Sequence, residues 1–156
     1  VCTKPPMLSI SVRPERLSHK YISETMEFTV NMPTSKLTKA VDYVGVRSGK
    51  TVDKIKEMNF TMKEGINVSS PYIDECPVSI ECKVKEIKEL GSHHMFIADV
   101  LAVHADEAYM DEKNRFDLNK ARPLVYSHGE YLGTGKKIGT FGYSVRKKKK
   151  GAKKRV

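Results

Sequence analysis

Residues 77–104, PVSIECKVKEIKELGSHHMFIADVLAVH, decide the fold. From Pro77 to Leu90 apolar side chains alternate at Val78, Ile80, Cys82 and Val84, the period of a strand with one buried face. The phase then slips to Ile87, which predicts a bulge or a strong local twist. Met95 to His104 is apolar on both faces apart from Asp99, the pattern of a strand enclosed in a barrel.

Upstream of this pair, Met7–Val12 alternates with period two after Pro5-Pro6 and reads as a strand, which Pro14 ends because it has no N–H to give to a ladder. Ser18 is placed to cap a helix over 19–26 with Tyr21, Ile22 and Met26 on one stripe. Residues 27–32, EFTVNM, form a short strand. Thr34 then caps a helix carrying Leu37, Ala40, Val41 and Val44 that stops near Gly45. Val52, Ile55 and Met58 stripe a short helix, and 61–75 is mostly loop. Downstream, Leu124-Val125-Tyr126 is a short strand after Pro123. Short strands dominate and helices cluster between 18 and 60, so the fold class is mainly β, a barrel with helical insertions and not an alternating α/β sheet. There is no internal repeat.

At 156 residues, 39% hydrophobic and 30% charged, the chain has the size of one domain and the composition of a soluble globular protein. The net charge of +9 is local. Eight of the 28 Lys/Arg fall in residues 146–156, which hold no acid, leaving 20 basic against 19 acidic residues in the body. That tail reads as disordered and solvated, with a weak attraction to polyanions such as nucleic acid as its other reading. No apolar run approaches the ~20 residues of a membrane helix, and no signal peptide opens the chain. Cys2, Cys76 and Cys82 cannot all pair and fit no zinc spacing, which points to a reducing, cytoplasmic setting and no metal. Val1-Cys2-Thr3-Lys4-Pro5-Pro6 reads as the lead-in to a strand, so a truncated sequence is expected.

Several apparent motifs fail. Gly133, Gly135 and Gly139 have the wrong spacing and context for a dinucleotide fingerprint. Lys113 and Arg115 occupy what would be ligand positions of a calcium loop at 111–117. Ser127-His128 are chain neighbours and so do not make a nucleophile–base pair. His93-His94 opens the buried strand, where only one of the two can face any given site. The polar, aromatic run 126–131, YSHGEY, is a candidate site rim. Phosphate chemistry is offered by Ser11, Arg13 and Ser18 at a strand-to-helix junction, with Ser48-Gly49-Lys50 and Lys54 as further donors. A solvated connection is the plain alternative.

Taken together, VCTKPPMLSISVRPER (1–16), EFTVN (27–31), SGKTVDK (48–54), GSHHMFIADV (91–100) and ARPLVYSHGEYLGTGKKIGTFGYSV (121–145) resemble the flavin reductase-like family of split-barrel flavoproteins, in its flavoredoxin and ferric-reductase branch. The resemblance implies an FMN-binding split β-barrel over 1–145 whose first strands are missing from this chain. It implies a homodimer that moves hydride from NADH or NADPH through FMN to a small-molecule or protein acceptor. It places Cys2, Thr3 and Lys4 along the isoalloxazine. Ser11, Val12, Arg13 and Ser18 then lie toward the ribityl chain and phosphate, and Ser48 and Lys54 near the phosphate. His93 matches the strand-opening histidine, and His128, the catalytic candidate, with Tyr131 matches the region where nicotinamide docks. Two alternatives stand beside this reading: a flavoredoxin-type carrier reduced by a protein partner, and a polyanion-binding module acting through the basic tail.

Overall fold

Alternation becomes strand where the pattern predicts it. In the computed structural model, which describes residues 1–146, the chain runs β1 (Cys2–Thr3), β2 (Pro6–Val12), α1 (Leu17–Thr25), β3 (Glu27–Met32), α2 (Thr38–Val46), α3 (Lys54–Met58), β4 (Met62–Lys63), β5 (Tyr72–Ile73), β6 (Val78–Leu90), β7 (His93–Ala105), α4 (Leu118–Ala121), β8 (Leu124–Ser127) and β9 (Glu130–Gly133). The expectation of disorder for the tail falls, beyond Arg146, outside the described residues.

The main sheet has the order β1-β2-β7-β6-β3, antiparallel throughout. β6 and β7 form its long central hairpin, with register shifts at Glu81/Cys82 and Val84/Glu86, the second of which falls where the slipped phase predicted a bulge. One face packs Phe28, Cys82, Val84, Phe96 and Ala98 against Ile22 of α1, with Leu8, Ile10 and Val12 of β2 closing over them. This core fixes α1 on the sheet and thereby the β2–α1 junction.

Four expectations about faces and ends need correction. Ser79 and Glu81, out of phase with the apolar residues of β6, are buried and not solvent-facing, because the 64–71 loop covers that side. β7 is enclosed only in its first half: β2 pairs with His94 to Asp99 and goes no further, so Leu101 and Val103 are exposed. α1 begins two residues earlier than expected, with Arg16 in the cap position and Ser18 inside the first turn. Thr34 does stand before helical structure, but a 3₁₀ turn over Ser35–Leu37 precedes α2 and the Thr34 hydroxyl makes no capping bond.

The strand β9 pairs with β8 in a hairpin that single-strand reading of 124–126 misses. Its two-residue loop, His128-Gly129, has φ of 50° and 86°, the left-handed pair of a type I′ turn. Gly129→Ala places a Cβ in that conformation and should lower stability by about 1 kcal/mol, measured as a shift of the urea midpoint.

Candidate functional site

β2 ends at Val12, and the turn from the Arg13 carbonyl to the Arg16 N–H (3.0 Å) swings the chain directly into α1. Opposite it lies the connection from α2 to α3, wound on Ser48: its carbonyl accepts from the N–H groups of Thr51 and Val52 (both 3.1 Å), and its hydroxyl from that of Lys50 (3.3 Å). Gly49 belongs to this close approach, since a Cβ there would lie 3.2 Å from Leu17. Between the two segments is a groove of about 260 Å³ lined by Arg16, Ser18 and Tyr21 on one side and by Arg47, Ser48, Lys50 and Lys54 on the other.

The groove is electrostatically unfinished. Burial, followed by the repulsion of Arg16, holds the Lys54 ammonium below the usual lysine range. Among the described residues its one polar anchor is the Val44 carbonyl at the end of α2, 2.5 Å away. Glu15 also lines the groove, but its carboxylate is 3.6 Å from Arg13 and so partly committed. Two crowded cations with serine hydroxyls beside them form a donor set that fits a phosphate monoester.

Ser18, Ser48 and Lys54, separated in sequence, are thus brought together. Ser11 and Val12 lie at the end of β2, paired with Met95 and His94. Val12 turns its side chain into the core, which leaves its backbone as the part able to meet a ligand. Arg13 points to Glu15, half exposed, and does not line the groove. Arg16 and Arg47 do line it, and no sequence signal separates them from other surface arginines.

Cys2, Thr3 and Lys4 occupy the exposed β1–β2 hairpin, with a cis Lys4–Pro5 bond and the Cys2 thiol donating to the Pro5 carbonyl (3.0 Å). They stand about 20 Å from the groove end of β2, six strand residues away. His93 contacts the Ser92 hydroxyl through Nδ1 (2.9 Å), while His94 engages His19 of α1 (3.0 Å), whose ring stands edge-on to Phe96. His128 crowns the β8–β9 hairpin, exposed, with Ser127 Oγ 3.0 Å from its Nδ1. Tyr131 of the same hairpin donates to Asp42 of α2 (3.1 Å). Burial and that carboxylate raise the phenol above its ordinary range. The hairpin is therefore tied to the helix whose end anchors Lys54.

Cys2, Cys76 and Cys82 are all free thiols. Burial pushes Cys76 and Cys82 up to about 11, which leaves them protonated and inert. Asp111 accepts from Arg115 through both guanidinium nitrogens that reach it (2.7 and 3.0 Å), so the 111–117 loop is closed by its own arginine. Among the described residues no helix is long and apolar enough to cross a membrane.

Residues 1–135 match the model of the flavin reductase like domain. The chain is 34% identical over 130 residues to an uncharacterized protein of Archaeoglobus fulgidus, covering 83% of this chain and 72% of that one. Among solved structures it is similar to the flavoredoxin of Desulfovibrio vulgaris (28% identity, TM-score 0.87), covering 94% of this chain and 79% of that one. It is also similar to the flavoredoxin of Methanosarcina acetivorans (30% identity, TM-score 0.84), covering 94% and 80% respectively. A sheet with helical insertions, the donor-lined β2–α1 junction and a match through most of its length make this chain a member of the flavin reductase like family.

Proposed function

We propose that the protein is an FMN-dependent oxidoreductase that takes hydride from NADH or NADPH and passes electrons to a small-molecule or protein acceptor. A flavin-related redox role follows from the family; the choice of FMN and of the reductant is the step beyond it. The observation that carries it is the pairing of Arg16 with Lys54, two cations held together beside Ser18 and Ser48. These four would hold the phosphate of FMN, with Ser11, the Val12 backbone and the Arg13 backbone leading along the strand toward the ring. Cys2, Thr3 and Lys4 would flank the isoalloxazine, Lys4 adding positive charge at its oxygen edge. When bound, the flavin supplies the redox chemistry by accepting a hydride and handing on its electrons. The protein then has to orient the nicotinamide, exclude water and hold the two rings at near-attack distance. We assign His128 with Tyr131 to that docking region and His93, at the opening of β7, to the flavin; the Tyr131–Asp42 bond ties the hairpin to α2.

The purified protein should be yellow, should release FMN and not FAD on denaturation, and should bleach when NADH or NADPH is added without oxygen. A colourless protein that cannot be loaded with FMN would overturn the reading. The flavoredoxin likeness favours a second reading, an electron carrier reduced by a protein partner. A yellow protein that neither nicotinamide bleaches would select it.

The segment after β9 supports the homodimer. Ile138 (99% exposed), Phe141 and Val145 face solvent almost completely, and Tyr143 largely so. Apolar residues this exposed on one short arm mark a contact surface, and a second copy of the chain is the partner we assign. Sedimentation at micromolar concentration should give a dimer burying ~2,000 Å² or more in total. The Ile138→Asp/Phe141→Asp variant should sediment as a folded monomer, and an unshifted variant would remove the arm from the interface.

A further inference from the structure

One wall of the groove is the first turn of α1, and two histidines hold that turn to the sheet. Arg16 caps the turn, Ser18 lies inside it, and the His19 N–H closes it on the Arg16 carbonyl (3.0 Å). His19 is half-buried. Its Nε2 lies 3.0 Å from Nδ1 of His94, and its ring stands edge-on both to His94 (centroids 4.8 Å apart) and to Phe96 (5.3 Å). His94 is paired in register with Val12, the last residue of β2, whose backbone runs into the same junction. The two segments that would meet the ribityl phosphate thus share one polar anchor, made of two groups of the type that changes charge near neutrality.

The charges around the pair allow one proton and oppose two. Glu89 of β6 stands opposite His94 in register and favours a single positive charge there. On α1, Arg16 lies one turn before His19 and opposes it, while Lys20 is engaged with Glu24 (3.9 Å). On β2, Val12 is apolar and Arg13 is turned to Glu15 (3.6 Å). On β7, His93 points to the other face of the strand and contacts Ser92. A first proton leaves the contact between the rings intact. A second sets two like charges 3.0 Å apart beside the fully buried Phe96, and the contact breaks. Ile22 still packs in the core, so the displacement falls on the first turn, which carries Arg16 and Ser18.

We propose that His19 and His94 are positioning residues for the flavin phosphate. The pair holds Arg16 and Ser18 against Ser48 and Lys54 while it carries at most one proton, and it loosens them, and with them the flavin, when it takes up a second. The inference rests on the reading of this groove as the flavin-phosphate site. The coupling is reciprocal: if the singly protonated pair holds the flavin more tightly, bound flavin must make the second proton harder to add. The cofactor is thereby retained at neutral pH and released in acid.

Fluorescence titration of FMN into the full-length protein at pH 7.5 and pH 5.0, at constant ionic strength, tests this. The dissociation constant of the wild type should rise about 30-fold or more in acid. Part of that rise belongs to the phosphate monoester, which gains a proton over the same range, so two variants set the baseline. His94→Asn leaves only one ring to protonate, and His94→Asp gives the His19 imidazolium a carboxylate to donate to. In both, the rise should be no more than about five-fold, the share of the phosphate itself. NMR titration of the histidine rings in the wild type reads the same linkage without a variant: the step that separates His19 from His94 should move to lower pH when FMN is bound. Equal pH dependence in the wild type and both variants would overturn the proposal, as would a histidine titration that FMN does not move. If a variant fails to fold, the wild-type NMR titration decides alone. A protein that takes up no FMN at pH 7.5 would instead bring down the reading of the groove and this inference with it, which the neutral titration detects before any acid is added.

Discussion

Glu81→Ala should cost the protein about 3–5 kcal/mol, the scale for leaving several buried donors without their acceptor at ~1–3 kcal/mol each, or a fall in Tm of roughly 10–15 °C. Glu81 is completely buried. It accepts from His104 Nε2 (2.6 Å), from the N–H groups of Ile66 (2.7 Å) and Asn67 (2.8 Å), and from the Asn67 side chain (3.3 Å). Alanine would strand these donors and release the 64–71 loop from β6. Burial alone would raise the carboxyl, but these bonds together outweigh it and bring the group down to about 2 from an ordinary 4.5. A folded-state value below the unfolded one means that the contribution is complete above about pH 4.5 and is lost as the pH falls toward 2. The full difference corresponds to about 3 kcal/mol, of which about 2 is gone by pH 3. Glu81→Gln should therefore start less stable at pH 7 and lose less on going to pH 3. Urea unfolding of both proteins at the two pH values checks this, and identical acid sensitivity would mean that Glu81 is not the group responsible.

Arg16→Ala should weaken FMN binding by about 2–3 kcal/mol, or 30–150-fold, as expected for a charge-assisted bond to phosphate. Arg13→Ala should change it by less than three-fold, because the Arg13 side chain turns away to Glu15. Lys54→Met, which keeps the stem and removes the charge, should resemble Arg16→Ala. Fluorescence titration of FMN into the three variants ranks them. If Arg13→Ala proves the most damaging, the guanidinium must swing into the groove on binding, and the assignment passes from Arg16 back to Arg13.

The contrast between these two arginines shows where sequence reading reaches its limit. The β2–α1 junction was legible because a period-two run meets Pro14 and then a helical stripe, and its phosphate character followed from the residue types. Which arginine faces the groove depends on the reversal between the Arg13 carbonyl and the Arg16 N–H, and no periodicity reports that. Arg47 was equally hidden, since a cation at the end of a helix is ordinary until the tertiary fold sets it opposite Arg16. The core strands were easier: Val78, Ile80, Cys82 and Val84 state their own face. Glu81 lies on the other face, and only the loop folded over it converts an apparently solvated glutamate into a buried anchor. β9 escaped notice because Glu130 to Gly133 is too short to show a period, although His128-Gly129 carries the chemistry of its turn.

The bond between His19 and His94 ties α1 to the sheet through a single shared hydrogen. His19 offers Nε2 and His94 offers Nδ1, so one ring must bring a hydrogen to the contact and the other a lone pair. If His19 donates, a neutral His94 keeps its own hydrogen on Nε2; if His94 donates, a neutral His19 keeps its own on Nδ1. The tautomers of two residues 75 positions apart are thus coupled. One proton added to the neutral pair keeps the bond, because the other ring still presents a lone pair. When both rings are imidazolium, two N–H groups meet head-on, and α1 is left with its apolar packing and the edge of Phe96 alone.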